Sequence, residues 1–460
     1  MRDSGPAPAA RRWWILGAIG VGTFMSALDG SAVNTVLPVL RRELHTTVAG
    51  VEWVTTVYLL VVSALLLSFG RAGDLRGHKR IYIAGFGIFV LGSALCGLAP
   101  SIGALIALRG LQAVGAAMLF ASAPAILTKT FPVEQRGRAL GALGGFTYLG
   151  LTAGPSLGGW LTSVLGWRSV FYINVPVGAL AIALALRNIE DDRPERTGER
   201  FDPPGAALFT AGLVALLVAL NQGHSWGWGS VPVIALLVAA AVLLAGFVAV
   251  ELRRPDPMLD LSLFRSWTFS AATVSALLNY ICVYSVLFVL PFLLIQGRGL
   301  DPRHAGLVLT AQPIVMAIVA PLAGALSDRL GSRLPATFGM LCLAAGIFLL
   351  ASLADHASLR AIAGALGVVG LGIGVFVSPN NSALMGAAPR HRQGIAAGVL
   401  ATARNLGMVL GVGLSGAVFT TILAHAGAAT GTGLVRGVQA SLFVAAGVAV
   451  VGAVTAFTKG

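Results

Sequence analysis

The sequence predicts an all-α polytopic membrane protein: two six-helix bundles related by an internal repeat, plus two inserted helices, fourteen transmembrane helices in all. Three observations lead to this fold class. Of the 460 residues, 56% are hydrophobic and only 11% are charged, with a mean hydropathy of +0.85. Apolar runs near 20 residues, long enough to span a bilayer as helices, recur along the whole chain. Glycine motifs in the first part of the chain return in the last part.

The apolar runs give the order of the elements and three structural units. The first six spans form an N-terminal bundle over 1–187, the linker and two inserted helices occupy 188–267, and a C-terminal bundle occupies 268–460. The start of the linker is rich in charged residues, which indicates a solvated loop. The predicted spans are roughly 13–37, 50–69, 81–98, 102–128, 139–162, 169–187, 205–222, 231–250, 268–294, 305–325, 335–353, 359–380, 394–421 and 437–457.

The net charge of +13 is distributed unevenly across the predicted topology. With the N-terminus inside, the cytoplasmic segments carry 22 of the 31 Lys and Arg residues and the outer loops carry 7. The remaining two, Arg109 and Arg404, lie within spans. This asymmetry follows the positive-inside rule, so we expect a multi-pass protein of the plasma (inner) membrane with both termini cytoplasmic. It also explains the basic composition without a nucleic-acid partner.

The sequence offers no residues for metal, cofactor or enzyme chemistry inside the membrane. Cys96, Cys282 and Cys342 fall in three separate runs, which suits small core residues better than a disulfide framework. No histidine lies well inside a span, and the chain has no phosphate-binding Gly-x-x-x-x-Gly-Lys-Ser/Thr motif. We therefore expect no cofactor, no bound metal and no use of ATP.

Asp29 is the only carboxylate deep in any apolar run. Counting ~1.5 Å per helical residue places it ~12 Å from the far end of its span. A carboxylate at that depth is costly and is a functional-site hypothesis by default. The alternative is an acid that packs or caps helices. If Asp29 does not carry a proton, Glu52, at the outer end of the second span, is the next candidate.

Arg109 lies ~10 Å deep in the fourth span, close to the depth of Asp29, so the two side chains can be neighbours. A guanidinium and a buried carboxylate can bind and release a proton as their surroundings change. A static ion pair that holds two helices together is the alternative.

Two tight turns and a set of glycines repeat along the chain. Gly70, Asp74 and Gly77 recur 254 residues later as Gly324, Asp328 and Gly331. Glycines at 110, 115, 137, 141, 150, 154 and 159 recur 257 residues later. The chain therefore contains two related halves, and in secondary transporters such repeats place a site at their interface near the bilayer midplane.

Four further stretches make the resemblance to a known family specific. The two tight turns resemble the loop motif of the major facilitator superfamily, although Leu75 stands where a basic residue is common. Residues 28–38 resemble the first-helix motif of its fourteen-span drug:H+ antiporter family, with Ser31 where Thr is usual. Residues 109–115 resemble the fourth-helix motif, with Ala113 replacing a glycine. Residues 150–159 resemble the fifth-helix antiporter motif, and residues 167–176 follow as in the family.

This resemblance implies roles for individual residues. Arg109, with Asp29, is implied in proton translocation. Gly150 and Gly154, with the bend at Pro155, form a smooth stripe that is implied to close the interface between the halves. The turn with Asp74, Gly77 and Arg80 is implied to control conformational exchange, with Asp74 bridging to the start of span 13 near Gly394, where a helix start favours a carboxylate. Asp328 belongs to the repeated turn. A solvated loop acid is the alternative for Asp74.

Several polar residues are candidates for the substrate cavity. Arg404 lies near the midplane and could meet an anionic substrate or a carbonyl, as a gating or structural residue. The candidates for lining the cavity are Asn34, Gln112, Asn279, Tyr280 and Gln312, with Asn380 and Asn381 as further polar groups. Interhelical hydrogen bonding is the alternative for five of these residues, Asn279, Tyr280, Gln312, Asn380 and Asn381.

The resemblance implies a proton-coupled secondary active exporter that works by alternating access. Its partners would be protons, the lipid bilayer and a small amphiphilic drug or antibiotic, cationic or neutral, handled by a monomer. A facilitator or importer of a defined small nutrient would use the same fold and is the alternative.

Overall fold

The computed structural model describes residues 9–189, 203–227, 229–252, 261–355, 357–389, 393–425 and 431–459. These residues form sixteen α-helices, one 3₁₀ helix (Leu261–Arg265) and one π-helix (Phe292–Gly297), and they contain no β-strand. The α-helices are α1 (Ala9–Glu43), α2 (Val48–Arg76), α3 (His78–Gly97), α4 (Ile102–Thr130), α5 (Val133–Leu165), α6 (Ser169–Tyr172), α7 (Asn174–Asn188), α8 (Pro203–Trp226), α9 (Val231–Glu251), α10 (Trp267–Pro291), α11 (Pro302–Leu309), α12 (Ala311–Leu330), α13 (Arg333–Leu353), α14 (Leu359–Ala387), α15 (Gln393–His425) and α16 (Gly431–Phe457).

Thirteen helical segments in the described part of the chain are long and apolar enough to cross a membrane. The all-helical, multi-span fold expected from the sequence is therefore confirmed, while the count of fourteen stays a prediction. The predicted span outside this set is α5, where repeated glycines and a proline lower the mean hydropathy. The α5 helix still packs closely along α1, as a member of the bundle does.

The helices form two groups that pack mainly within themselves. We call α1–α7 the N-half and α10–α16 the C-half. The end of the molecule at the α1–α2 connection, residues 44–47, is the distal end, and the end at the α2–α3 turn is the proximal end. That turn contains Gly77 with φ +94°, and the α12–α13 turn contains Gly331 with φ +76°. Both glycines have the left-handed backbone that other residues avoid, which accounts for a glycine at each turn.

Glycine contacts in the two halves correspond. In the N-half, a Cβ at Gly115 of α4 would lie 2.5 Å from the Phe89 nitrogen of α3. In the C-half, a Cβ at Gly372 of α14 would lie 2.4 Å from the Leu343 nitrogen of α13. In both helix pairs the backbones lie close together because a glycine, which has no side chain, stands at the contact. Small residues permit such close packing in a membrane.

The inserted helices α8 and α9 pack against each other, with the rings of Phe209 and Phe247 5.2 Å apart. The α8 helix lies on the inside and contacts both α2 and α15. Its Thr210 hydroxyl donates to the Ala64 carbonyl at 3.0 Å. The α9 helix presents Val231 and Val242, which are strongly exposed, on its outer side. An apolar outer surface of this kind suits contact with lipid.

The two halves meet at the distal end, where α5 crosses α11. A Cβ at Gly159 would lie 2.2 Å from the Pro302 oxygen, and a Cβ at Gly306 would lie 2.1 Å from the Pro155 oxygen. Each helix therefore presents a glycine to the backbone of the other. The crossing is closed so tightly that a methyl group on either glycine requires the helices to separate.

Polar contacts reinforce this distal closure. Arg41 Nη1 of α1 donates to Gln296 Oε1 at 2.7 Å, and Gln296 Nε2 donates to the Pro38 carbonyl at 3.1 Å. The hydroxyls of Ser156 and Thr310 lie 2.5 Å apart across the α5–α11 crossing. These three hydrogen bonds join the N-half to the C-half at the same end of the molecule.

The glycine stripe of α5 packs differently from its predicted role. A Cβ at Gly150 would lie 2.4 Å from the Phe24 oxygen, and one at Gly154 would lie 2.6 Å from Ser31 Cβ, so both glycines face α1 of their own half. The prediction that Gly150 and Gly154 close the interface between the halves was therefore wrong. Each helical residue turns about 100°, so the neighbouring positions Pro155 and Gly159 face the C-half instead.

Candidate functional site

Asp29 and Arg109 form a buried ion pair in the N-half. Arg109 Nη1 lies 2.7 Å from Asp29 Oδ2, and the two side chains are 1% and 0% exposed. The similar depths of the two residues in α1 and α4 predicted this contact. Both charges are out of water, so removal of either leaves the other unpaired in an apolar interior.

Two amide side chains complete the surroundings of Asp29. Gln112 Nε2 donates to Asp29 Oδ1 at 3.2 Å, and Asn174 Nδ2 donates to the same oxygen at 2.7 Å. Asn174 also donates to Ser93 Oγ at 2.9 Å, and Ser93 donates to the Phe171 carbonyl at 2.9 Å. Each oxygen of Asp29 thus accepts from a donor, as an ionised carboxylate does.

Arg109 has partners other than Asp29. Its Nη1 also donates to Gln112 Oε1 at 2.7 Å, and its Nε donates to the Val54 carbonyl of α2 at 3.4 Å. Its guanidinium carbon lies 4.2 Å from the centroid of the Tyr58 ring, a cation–π distance. If Asp29 loses its charge, Arg109 keeps an amide oxygen, a carbonyl and an aromatic face.

Sequence reasoning missed part of this site. Asn174 and Ser93 received no role, and Gln112 was assigned to the substrate cavity although it lies in the Asp29 network. A signal for Asn174 was present, because it is the one amide in residues 167–176 and lies at the start of α7, just after a break in the helix. Its partner could not be known without the packing of α7 on α1.

A second group of side chains comes from both halves. Tyr148 of α5 lies within electrostatic range of Arg404 of α15, as does Tyr284 of α10, and Tyr58 of α2 lies within the same range of Tyr284. Tyr280 of α10 packs against α15, since a Cβ at Gly407 would lie 2.9 Å from its Cβ. We call these five residues the tyrosine–arginine group. Its members come from both the N-half and the C-half.

The other residues predicted to line the cavity make interhelical contacts. Asn34 accepts from the Thr55 hydroxyl at 2.8 Å, and Asn279 donates to the Met340 sulfur at 3.4 Å; both asparagines are buried. Gln312 is buried, with its backbone against Gly370 of α14. Asn279 thus makes the interhelical hydrogen bond that was its stated alternative, and Asn34 makes one as well, whereas Gln312 packs against α14 through its backbone. Tyr280 packs against α15 at Gly407, three residues after Arg404.

The turn after α2 is organised by its own residues. Asp74 Oδ1 lies 3.0 Å from Nε2 of the buried His78, four residues later, at the start of α3. The structure thus describes a hydrogen bond between Asp74 and His78 within the turn, where the sequence predicted a bridge from Asp74 to the start of α15. Arg80 is exposed at the proximal end. Asp328 lies on α12 in the corresponding turn, and its side chain is outside the described residues.

Glu52 occupies a junction of three helices at the distal end. It is 2% exposed, and Asn221 Nδ2 of α8 donates to its Oε1 at 2.7 Å. A Cβ at Gly416 of α15 would lie 2.2 Å from its Oε2. Glu52 on α2 therefore links the N-half to the inserted helices, and it lies directly against the C-half.

The helical bundle, its two halves and a buried charge pair at membrane depth define a membrane transporter. The sequence profile of the Major Facilitator Superfamily matches residues 19–411 and also residues 272–459. The chain therefore belongs to the Major Facilitator Superfamily, whose members are transporters and not enzymes. Its many apolar helices are those of a multi-span membrane protein.

Relatives of this chain are named for different transport functions. The riboflavin transporter RibZ of Clostridioides difficile (strain 630) is 34% identical, covering 90% of each chain. The multidrug resistance protein Stp of Mycobacterium tuberculosis (strain CDC 1551 / Oshkosh) is 36% identical, covering 88% of this chain and 75% of Stp. The tetracenomycin C resistance and export protein of Streptomyces glaucescens is 32% identical, covering 89% of this chain and 76% of that protein.

The fold is shared with a solved structure. A bacterial homolog of the human lysosomal transporter Spinster, crystallised in an inward-facing and unoccupied conformation, superposes with a TM-score of 0.70 over 98% of each chain. The sequence identity is 16%, so this likeness concerns the fold alone.

Proposed function

We propose that this protein is a proton-coupled exporter of small amphiphilic organic molecules that works by alternating access. The observation that carries the proposal is the sealed Asp29–Arg109 pair, in which the carboxylate has one cationic partner and the cation has three others. Resistance and export relatives at 32–36% identity support the direction of transport.

Coupling follows from the burial of the pair. Asp29 is fully buried in the distal-closed structure, so a proton reaches it only when the helices around it move. A proton on Asp29 removes the charge that holds Arg109, and Arg109 can then turn to Gln112, the Val54 carbonyl and the Tyr58 ring. Proton binding and helix movement are thereby linked, as an antiporter requires.

The distal closure supplies the conformational part of the proposal. In this scheme the α5–α11 crossing and the bonds of Gln296 hold one of two states, and their opening exposes the space between the halves to the distal side. We further propose, from the positive-inside asymmetry, that the proximal end and both termini are cytoplasmic, that the protein is a monomer in the plasma membrane, and that α5 is a fourteenth span.

Transport in reconstituted vesicles tests the role of Asp29. With purified protein in vesicles that have an acidic lumen, added riboflavin or tetracenomycin C should accumulate inside while a pH dye reports proton release. Asp29→Asn keeps the side-chain shape but cannot ionise, so accumulation driven by the gradient and proton release should both stop. Glu43→Gln, which removes an exposed acid at the distal end, should behave as wild type.

If a well-folded Asp29→Asn protein released protons as wild type does, the proton-carrying residue would be another one, and Glu52 would be the next residue to test. Size-exclusion elution and thermal unfolding of the variant establish that it is folded.

A riboflavin importer is the second candidate function, favoured by the 34% identity to RibZ over 90% of each chain. The same vesicles separate the two. An exporter accumulates the compound when the lumen is acidic, whereas a proton symporter accumulates it when the outside is acidic.

A further inference from the structure

The side-chain amide of Asn174 is bonded at one end and unpartnered at the other. Asn174 is 1% exposed, and its Nδ2 donates to Asp29 Oδ1 at 2.7 Å and to Ser93 Oγ at 2.9 Å. Its Oδ1 is buried and accepts no hydrogen bond from the described residues. A buried amide oxygen without a donor is uncommon and costs free energy, so an acceptor is held in reserve beside Asp29.

A glycine contact fixes where the backbone of Asn174 lies. A Cβ at Gly178 would lie 2.2 Å from Val90 Cγ2, so α7 packs closely on α3. Asn174 lies four residues before Gly178, and Ser93 lies three residues after Val90. Because residues three and four apart share a helix face, the two side chains meet one turn away from this contact. The backbone is held there, while the last torsion of an asparagine side chain has two broad orientations.

A proton on Asp29 changes one oxygen of its carboxylate from an acceptor into a donor. Asp29 Oδ2 faces a donor, Arg109 Nη1, at 2.7 Å. Its Oδ1 accepts from Gln112 Nε2 and Asn174 Nδ2. Gln112 Oε1 already accepts from Arg109 Nη1 at 2.7 Å. Among the described groups bonded to Asp29, the unused acceptor is therefore Asn174 Oδ1, which meets the new hydroxyl when the amide turns over.

The other titratable groups near Asp29 leave this assignment unchanged. The Tyr58 ring of α2 lies 4.2 Å from the guanidinium carbon of Arg109. The Cys96 thiol of α3 donates to Gln112 Oε1 at 3.9 Å. Neither Tyr58 nor Cys96 is hydrogen-bonded to Asp29 in the described structure. Arg109 of α4 is the one charged group in contact with Asp29 within the described ranges.

We propose that Asn174 is a positioning residue whose side-chain amide turns over when Asp29 binds a proton. Before protonation, Asn174 Nδ2 donates to the carboxylate. Afterwards, the hydroxyl formed at Asp29 Oδ1 donates to Asn174 Oδ1. In both orientations one end of the amide is bonded and the other is not, so the proton on Asp29 decides between them. This inference rests on the proposed proton coupling at Asp29 and states how the protonated form is stabilised.

Ser93 sets the resting orientation of the amide. Its hydroxyl donates to the Phe171 carbonyl of α6 at 2.9 Å, which leaves the Ser93 oxygen as an acceptor for Asn174 Nδ2. When the amide turns over, the Ser93 hydroxyl rotates to donate to Asn174 Oδ1 and leaves the Phe171 carbonyl. Ser93 thus makes two hydrogen bonds before protonation and one afterwards. Protonation of Asp29 therefore changes a bond to the backbone just before the break between α6 and α7.

Infrared difference spectra of the purified protein in lipid films test the proposal. Asparagine is labelled with ¹³C at its side-chain carbonyl, and spectra at acidic pH are compared with spectra at alkaline pH. At acidic pH, wild type should show a carboxylic acid band that is missing from Asp29→Asn. An asparagine carbonyl band should shift to lower wavenumber over the same pH range, because this carbonyl gains a hydrogen bond. The asparagine shift should also be missing from Asp29→Asn.

Variants of Asn174 assign the shifted band. Asn174→Leu has no amide, and Asn174→Gln keeps an amide that carries no label. Either folded variant should lose the asparagine shift and retain the acid band of Asp29. Asn188→Leu, at the other end of α7, is the matched control and should keep both, because Asn188 donates to the Leu184 carbonyl of its own helix at 2.8 Å.

Ser93→Ala tests the resting orientation. The variant loses two hydrogen bonds in the unprotonated form and one in the protonated form, so it should favour the protonated form by one hydrogen bond. The asparagine shift should then be half complete at a proton concentration about 2–10-fold lower than in wild type. An unmoved midpoint in folded Ser93→Ala would reject the role given to Ser93.

The two bands separate failure of this inference from failure of the proposed function. If Asn174 is a static bond between α7 and α1, the acid band of Asp29 appears without an asparagine shift, and proton binding at Asp29 stands. A shift that survives in folded Asn174→Gln would likewise overturn the role of Asn174. Absence of an Asp29-dependent acid band would reject the proposed coupling and this inference together.

Discussion

The N-half and the C-half have corresponding helices but opposite charge arrangements. By the spacing that relates Phe24 to Leu277 in their contacts with α5 and α15, Asp29 corresponds to Cys282. By the spacing that relates Gly115 to Gly372, Arg109 corresponds to Leu366. Both C-half residues are fully buried and uncharged. The N-half therefore buries a matched pair of charges where the C-half has an apolar contact.

At Arg404 the charge lies in the C-half instead. By the spacing that relates Gly115 to Gly372, the corresponding N-half residue is the uncharged Thr147. The C-half also buries Lys459, again without an acidic partner among the described residues. The N-half thus encloses a neutral ion pair, and the C-half carries Arg404 and Lys459 without an acidic partner among the described residues. The two halves can share their helix packing and differ in charge because the glycine contacts lie at other positions.

The largest expected effect on stability comes from replacing Arg109 of the N-half by leucine, the residue at the corresponding position of the C-half. Arg109→Leu leaves Asp29 as an unpaired charge in a site with no exposure, which should lower the free energy of unfolding by about 3–5 kcal/mol. Chemical unfolding in detergent measures this loss.

The double variant Asp29→Cys/Arg109→Leu installs both C-half residues and should recover most of that stability while abolishing coupled transport. If Arg109→Leu unfolds within about 1 kcal/mol of wild type, the pair is screened by water and the contrast between the halves is not electrostatic.

A smaller effect is expected where the two halves touch. Gly306→Ala places a methyl group against the Pro155 oxygen, and overpacking of this kind costs about 1–3 kcal/mol. The cost falls on the distal-closed state, so the population should shift toward separation of α5 and α11. Spin labels at His45→Cys and Arg360→Cys, exposed at the distal ends of the two halves, should report a longer distance.

Gly144→Ala on α5 is the matched control, because a Cβ at Gly144 has no atom within 4 Å. A similar distance change in both variants would mean that helix propensity, and not the crossing, sets the equilibrium.

The smallest effect concerns the buried lysine of the C-half. Lys459, beyond the end of α16, is 1% exposed, donates to Asn380 Oδ1 and lies 5.4 Å from the centroid of the Phe376 ring. Burial lowers the pKa of Lys459 from 10.5 to about 7. An undocked lysine keeps its proton up to its ordinary pKa, so the undocked state binds more protons between these values. Docking of the C-terminus should therefore strengthen as the pH rises from 7 toward 10.5, and stay constant below 7.

Hydrogen exchange at the last residues, followed against pH, measures this docking. Lys459→Met should remove the pH dependence, and Lys79→Met, a lysine of the α2–α3 turn, should not. Equal slopes in wild type and Lys459→Met would assign the dependence to another group.

The depth of a residue could be predicted from the sequence, but the direction of its side chain could not. Counting along α1 and α4 was enough to bring Asp29 and Arg109 together, since helical rise is nearly constant. Facing directions depend on how helices rotate against one another, which is why Gly150 and Gly154 were assigned to the wrong neighbour.

Contacts across distant parts of the chain were the other gap. Asn174 bonds Asp29 across 145 residues of sequence, and a contact of this kind leaves no periodic pattern. The helical fold was predictable because composition and run length depend only on local sequence.

The Glu52 junction has a consequence for how the chain is built during synthesis. Glu52 emerges with α2, its amide partner Asn221 follows on α8, and Gly416 arrives last on α15. If Glu52 had no partner until α15 is synthesised, its carboxyl group would remain unpaired in the membrane for most of translation. The α8–α9 hairpin shortens the time during which Glu52 lacks a partner, because Asn221 can bond Glu52 roughly 200 residues before Gly416 is made. We therefore expect α8 to stabilise Glu52 during assembly, before α15 is made.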